Sequence, residues 1–222
     1  MSNANVPGIT GQSNQAVRLT STISIAADAY IAAALLLLHL LRPEFDPVTR
    51  VISNYAVGPY GFFMTAAFLA FAVSILSLTF AIYKGVLPPA RSRVGLAFLA
   101  LSGVGFLIVA MFPTDLTPDD SPVTTVGAIH ILASVLSIAS FVVAALLLSR
   151  RLRSDPRWAS FQRTPSILAL ACLAAFIAFF VIRPLSLPIG GIGQRLLVIT
   201  MLLWLASTGN HLRSVSAPSP TD

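Results

Sequence analysis

The chain has 222 residues, of which 56% are hydrophobic and 10% charged, with a formal net charge of +6. Soluble domains carry about a quarter charged residues, so this composition excludes a water-soluble globule, which could not cover its surface, and a disordered chain as well. The apolar residues recur in six stretches, each near the roughly 20 residues that cross a bilayer as a helix. This excludes a single-pass anchor and predicts an all-α, polytopic transmembrane bundle of six helices.

Residues 1–18 are polar, nearly uncharged and without the basic start and short apolar core of a signal peptide; they read as a disordered tail. The predicted spans are Thr22–Leu41, Pro59–Tyr83, Val94–Phe112, Thr125–Leu148, Pro165–Ile182 and Gly193–His211. Together they make a transmembrane domain over 19–212, followed by a second disordered tail over 213–222.

In the first span Asp28 lies about six residues from the expected cytoplasmic edge, roughly 9 Å of helix rise. A short carboxyl cannot snorkel from that depth, which makes Asp28 a candidate proton site; the alternative is a carboxyl bonded to a nearby hydroxyl. The first connection, HLLRPEFDPVTRVISNYAVGPYG (His39–Gly61), is broken by Pro43, Pro47, Gly58 and Pro59 and reads as an irregular hairpin or short interfacial helix. It gathers His39, Arg42, Glu44, Asp46, Arg50, Ser53, Asn54 and Tyr55. The third span offers small residues, Gly95 with Ser102 and Gly103 with Ala110, as a packing seam. The segment after it, Phe112–Pro122, adds Asp115, Asp119 and Asp120. The fourth span carries His130, Ser134 and Ser137 as one polar stripe, which has to face protein or water. In the fifth, Ala171 with Ala175 and Ala174 with Ala178 read as seams, and Cys172, the only cysteine, as a packing residue. Arg183 closes the fifth span, and Gln194 and Arg195 open the sixth.

Placing the N-terminus in the cytoplasm puts ten of the 14 basic residues on the cytoplasmic side, as the positive-inside rule asks, and predicts both termini inside. The basic residues then sit beside span ends, where they orient the chain and meet anionic lipid headgroups; this argues against a nucleic-acid partner and for membrane lipids. The unusual polar residues meet at the outer face. There Arg42, Arg50 or Arg195 could pair with Asp46 or Asp115 as an ion-pair collar, or the same groups could line a pocket for a lipid or small amphiphile. His211 is about 30 Å of hydrocarbon from the other two histidines. A metal site from His39, His130 and Asp115 or Asp46 is geometrically open, but no HExxH or paired-cysteine spacing supports one, and no metal or cofactor is expected.

The order and spacing of four segments resembles domain-of-unknown-function family 998, small six-span membrane proteins of bacteria and archaea. These segments are the first connection quoted above, GFLIVAMFPTD, TTVGAIHILAS and GIGQRLL. The resemblance covers roughly residues 20–212. It implies the six-span fold and a prokaryotic cytoplasmic membrane, but no activity. Its characteristic positions would be Asp46, Ser53, Asn54, Pro113, Asp115, His130, Gln194 and Arg195, with Asn54 standing where Asp is common.

Three functional readings follow. In the first, an outer-face pocket binds, or processes, a lipid or amphiphile: Asp46, Ser53, Asp115 and His130 are the chemical groups, with His130 as acid/base, and Arg42, Asn54, Tyr55, Gln194 and Arg195 contact the ligand, with Arg195 as an anion clamp. In the second, the chain is a proton-coupled small-molecule carrier working through Asp28. In the third, it is a structural or assembly subunit held by its small-residue seams. Whether it is an enzyme, and its oligomeric state, are open at this level.

Overall fold

Backbone amides in hydrocarbon have no water to bond, so each apolar run closes its hydrogen bonds on itself as a helix. The computed structural model describes residues 11–117, 120–182 and 189–217. It contains α1 (Gly11–Leu41), α2 (Gly61–Gly85), α3 (Arg93–Met111), α4 (Thr125–Leu152), α5 (Arg163–Ile182) and α6 (Gly190–Val215). All six are long and apolar enough to cross a membrane, and the described residues form no strand. The protein is a multi-pass membrane protein built as a six-helix bundle.

Local chemistry sets several helix ends. Ser92 caps α3 by accepting from the Gly95 N–H, and Thr124 caps α4 by accepting from the Gly127 N–H. Two helices run on into the expected tails. α1 begins at Gly11, so residues 11–18, expected in the tail, are helical, and α6 continues to Val215, into the expected C-terminal tail. The reason is tertiary: Val17 is fully buried, and a Cβ added at Gly85 of α2 would touch both Val17 and Leu212 of α6. The early turns of α1 and the late turns of α6 therefore hold each other.

Each helix packs on its neighbour in sequence, and α6 closes the ring on α1 while also touching α2. α3 approaches its neighbours through glycine: a Cβ at Gly103 would strike Leu76 of α2, one at Gly95 would strike Leu148 of α4, and one at Gly105 would strike Ser137 of α4. Ring stacking of Phe71 on Phe106, with centroids 4.7 Å apart, fills the α2–α3 seam. On α5 the expected seams divide. Cys172 is buried, whereas Ala174 and Ala178 are exposed on the outside of the bundle, so the second stripe is not an interior seam.

At the end away from the first connection, one buried carboxylate organises the loops. Asp155 is fully buried. Its Oδ1 accepts from Arg157 Nε (3.0 Å) and its Oδ2 from Arg157 Nη2 (2.6 Å) and the Leu87 N–H (3.2 Å). Arg157 also donates to the Gly85 carbonyl (2.7 Å), and its own carbonyl accepts from His211 Nε2 (3.1 Å), whose ring stacks on Phe161. The α2–α3 and α4–α5 connections and the end of α6 thus meet on one ion pair. Burial pushes the Asp155 carboxyl up, but Arg157 and the Leu87 and Arg157 backbone N–H groups outweigh it and hold the carboxyl below the usual carboxylate value.

A folded-state value below the unfolded one stabilises the fold above the ordinary carboxylate range and ceases to do so as pH falls through the folded value. Asp155→Asn should therefore lower unfolding stability in mixed micelles at neutral pH by about 3 kcal/mol, the usual cost of stranding one partner of a buried pair. The variant should also lose less stability than the wild type on acidification below about pH 4. Parallel acid profiles of the two proteins would contradict this.

Candidate functional site

The first connection folds into the bundle end as a plug. After Arg42 the prolines prevent helix, and the chain returns through a 3₁₀ turn over Ile52–Ala56, with Phe45, Val51, Ile52, Ser53, Asn54 and Tyr55 all buried. The expected short interfacial element is present, but it points inward. Gly58 has φ +83°, a conformation that disfavours other residues, and lies against the Arg42 guanidinium. Arg42 Nη1 donates to the Val57 and Pro59 carbonyls (both 2.8 Å), its Nε to Glu44, and the guanidinium lies 4.5 Å from the Phe45 ring centroid. The Arg42 hydrogen bond is the main cause that holds the exposed Glu44 carboxyl below its usual value.

Arg195, in the second turn of α6, ties the plug to the helices. Its Nη1 donates to the Arg50 carbonyl (2.7 Å) and the Gly191 carbonyl (3.1 Å), and its Nη2 to the Tyr55 hydroxyl (3.3 Å). Its Nε donates to His39 Nε2 (3.0 Å) of α1. That nitrogen must be an acceptor, which leaves His39 Nδ1–H to donate to the Leu35 carbonyl. Burial pushes the Tyr55 phenol up while Arg195 pulls it down; the net shift is upward, so the phenol keeps its proton. α6 can approach the plug this closely because residue 191 is glycine: a Cβ there would lie 2.5 Å from the Arg50 carbonyl oxygen and 2.6 Å from that of Pro47. The Ile192 N–H then reaches the Val48 carbonyl (3.2 Å), and Gln194 Oε1 accepts from the Ile52 N–H (2.6 Å).

The acidic residues have local duties. Asp46 is exposed and closes a turn by accepting from the Val48 N–H (2.9 Å) and Thr49 Oγ1 (3.2 Å). Asp115 accepts from the N–H groups of Val123 and Thr124 (2.8 Å each) and from Thr124 Oγ1, the cap of α4. The Thr124 N–H is the main cause that holds its carboxyl below the usual value. Asp120, with φ 57°, accepts from Asn54 Nδ2 (2.8 Å) and lies 3.7 Å from Arg50 Nη1, which also donates to the Thr117 carbonyl (3.0 Å). The ion pairs at this end among the described residues are Arg42–Glu44 and Arg50–Asp120. The expected partners Asp46 and Asp115 take no part, because each already satisfies backbone N–H groups nearby. Asp119 and Arg183 lie outside the described residues.

Behind the plug is a cavity of about 340 Å³. Ser53, Asp120, Ser121, Pro122 and Gln194 form one side, His130 and Ser134 the α4 wall, and Ile131, Val135, Ile138, Phe179 and Phe180 the apolar remainder between α4 and α5. His130 Nδ1 donates to the Phe112 carbonyl (2.7 Å), which fixes the ring, and Phe68 meets it edge-on. Ser53 makes no side-chain hydrogen bond among the described residues. The polar stripe on α4 is divided by its surroundings: His130 and Ser134 line the cavity, while Ser137 bonds back to the Ala133 carbonyl against Gly105.

Of the residues singled out in the sequence, Ser53, Asp120, His130, Ser134 and Gln194 therefore meet at one cavity. Arg42, Asp46, Asn54, Tyr55, Asp115 and Arg195 brace the surrounding wall without lining it. Phe179 and Phe180 line it without having been singled out, since an aromatic pair in an apolar span carries no signal of its own. His39 has both ring nitrogens engaged, by Leu35 and Arg195, and the described residues hold no group of three His, Cys, Asp or Glu side chains placed to bind a metal. Asp28 lies elsewhere. Its Oδ1 accepts from Ser74 Oγ (2.7 Å) of α2, which is 3.0 Å from Ser24 Oγ, while Oδ2 is buried without a partner among the described residues. The hydroxyl partner weighed as the alternative to a proton site is thus present on one oxygen.

Arg195→Lys should not replace the wild-type side chain, because a single ammonium cannot reach acceptors on α1, the plug and α6 together. Unfolding in mixed micelles should show a loss of about 2 kcal/mol, the scale of two charged hydrogen bonds less their replacement. Wild-type stability in this variant would remove Arg195 from its bracing role.

A comparison with known families matches residues 25–211 to the family described as "Protein of unknown function (DUF998)". No curated protein and no solved structure matches the chain.

Proposed function

The chain belongs to the DUF998 family, and from its own geometry we propose that it binds the polar end of a lipid or small amphiphile in the cavity behind the plug. The observation that carries this reading is the two-sided lining of that cavity. Ser53, His130, Ser134 and Gln194 offer hydrogen-bonding groups, and Ile138, Phe179 and Phe180 continue the space as an apolar slot. From His130 to Ile138 the α4 wall runs about 12 Å along the helix, enough for a headgroup and the first carbons of a chain. A volume of about 340 Å³ is at the small end of ligand pockets, which favours part of an amphiphile over a whole lipid. The fixed His130 ring and the Ser53 hydroxyl are the groups available for acid/base chemistry or for recognition. In the membrane we place this end outward and both termini in the cytoplasm, on the distribution of Lys and Arg; a prokaryotic cytoplasmic membrane fits that arrangement.

A carrier reading rests on one observation, the unpartnered Oδ2 of Asp28 deep in α1. Asp28 reaches Ser74 and, through it, Ser24, and none of these three residues lines the cavity, so we rank it second.

Protein purified in mild detergent should carry an extractable amphiphile, seen by mass spectrometry. Ser134→Phe, which fills the slot from a part-exposed position, should remove it while the protein stays monodisperse; retention of the amphiphile in the filled variant would sink the reading. For the second reading, a pH gradient across proteoliposomes should drive flux that Asp28→Asn abolishes, and equal flux in the two proteins would reject it.

A further inference from the structure

The α4–α5 seam has a second cavity at its other end. It measures about 480 Å³ and is lined by Leu146, Leu147, Ser149, Arg150 and Arg153 of α4 with its C-cap, and by Ser166, Ala169 and Leu170 of α5. Its chemistry is graded along the helix axis. Leu146, Leu147, Ala169 and Leu170 give the deeper part an apolar lining, and the two arginines stand at the mouth. No acidic residue lines it.

The arginines are also free of carboxylates. The ion pairs among the described residues are Arg42–Glu44, Arg50–Asp120 and Arg157–Asp155; Asp155, the acidic group nearest in sequence, is fully buried and engaged by Arg157. Arg153 Nη2 donates to Ser166 Oγ (3.1 Å), which carries its guanidinium across the seam from α4 to α5. Ser149 forms a finished floor: its Oγ donates to the Pro165 carbonyl and accepts from Trp204 Nε1, both at 3.0 Å. Neither arginine is thus needed to satisfy a buried group: both are exposed beside the cavity, and Ser166 holds Arg153 there.

Depth identifies what meets them. Arg150 follows His130 by 20 residues on the same helix, about 30 Å of rise, which equals the thickness of the hydrocarbon core. With His130 at one membrane edge, Arg150 and Arg153 lie at the other, at the level of lipid phosphates, whichever way the chain is oriented. A phosphate placed between the arginines leaves its acyl chains beside Leu146, Leu147 and Leu170. We propose that this notch is a binding site for an anionic phospholipid, with Arg150 and Arg153 on the headgroup phosphate and the α4–α5 groove taking an acyl chain. The site is independent of the cavity behind the plug, and each can fail alone.

The test uses the full-length protein, delipidated in neutral detergent and read by native mass spectrometry with phosphatidylglycerol or phosphatidylcholine of identical acyl chains. Wild type should retain phosphatidylglycerol over phosphatidylcholine by about five-fold or more, the scale of one basic residue at an anionic surface. Arg150→Gln with Arg153→Gln should bring the two lipids to equal retention. Arg151→Gln with Arg213→Gln removes the same charge from exposed residues outside the notch and should keep the preference. Equal retention in wild type, a preference that survives loss of Arg150 and Arg153, or its loss in the charge-matched control would each overturn the proposal, the last by showing that net charge alone attracts the lipid.

Discussion

One guanidinium sets the architecture of the plugged end. Arg195 enters the bundle from the second turn of α6, and a cation at that depth has to be surrounded by acceptors or water. The chain supplies His39 from α1, the Arg50 carbonyl and Tyr55 hydroxyl from the first connection, and the Gly191 carbonyl from its own helix. Satisfying these donors requires the first connection to fold inward, and its inward fold requires a glycine at 191 and a left-handed residue at 58. The same docking places Gln194 on the backbone of Ile52, which sets Ser53 beside Gln194 on the cavity wall. The site is therefore a consequence of how the cation is accommodated.

The two ends solve the same problem with different chemistry. At the plugged end Arg195 is held by neutral acceptors, so the arrangement is directional and depends on the fork geometry of arginine. At the opposite end Arg157 is held by the buried carboxylate of Asp155, a pair that adds charge compensation. Each assembly ties at least three segments, so the bundle is clamped at both ends. Between the clamps the α4–α5 seam is the looser one. Both cavities lie along it, and α5 turns much of its surface outward. On the proposed reading, this lateral seam between the tied ends is where a molecule from the bilayer would be held.

Much of the fold was legible because bilayer thickness converts composition directly into structure. Six apolar runs had to be six helices. The helix ends at Gly11 and Val215 were not legible, since they depend on Val17, Gly85 and Leu212 meeting from three distant segments. The site was half legible. Ser53, His130 and Gln194 stand out as polar residues at span edges, and they do share a cavity. Arg195 stands out in the same way, yet its donors turn to the plug. Residue type and depth are common to both cases, and only the position of neighbouring acceptors separates a lining group from a brace.

The amino-acid sequence by itself determined the solvent of this protein, the number and type of its elements, and the few places where polar groups gather. These follow from energies that each segment meets alone: the cost of bare amides and of charge in hydrocarbon. Only the tertiary structure decided which cation pairs with which acceptor, that Asp46 and Asp115 serve turns and caps, and that two cavities open at opposite ends of one seam. Those outcomes depend on distances between segments far apart in the chain, and local composition carries no record of them.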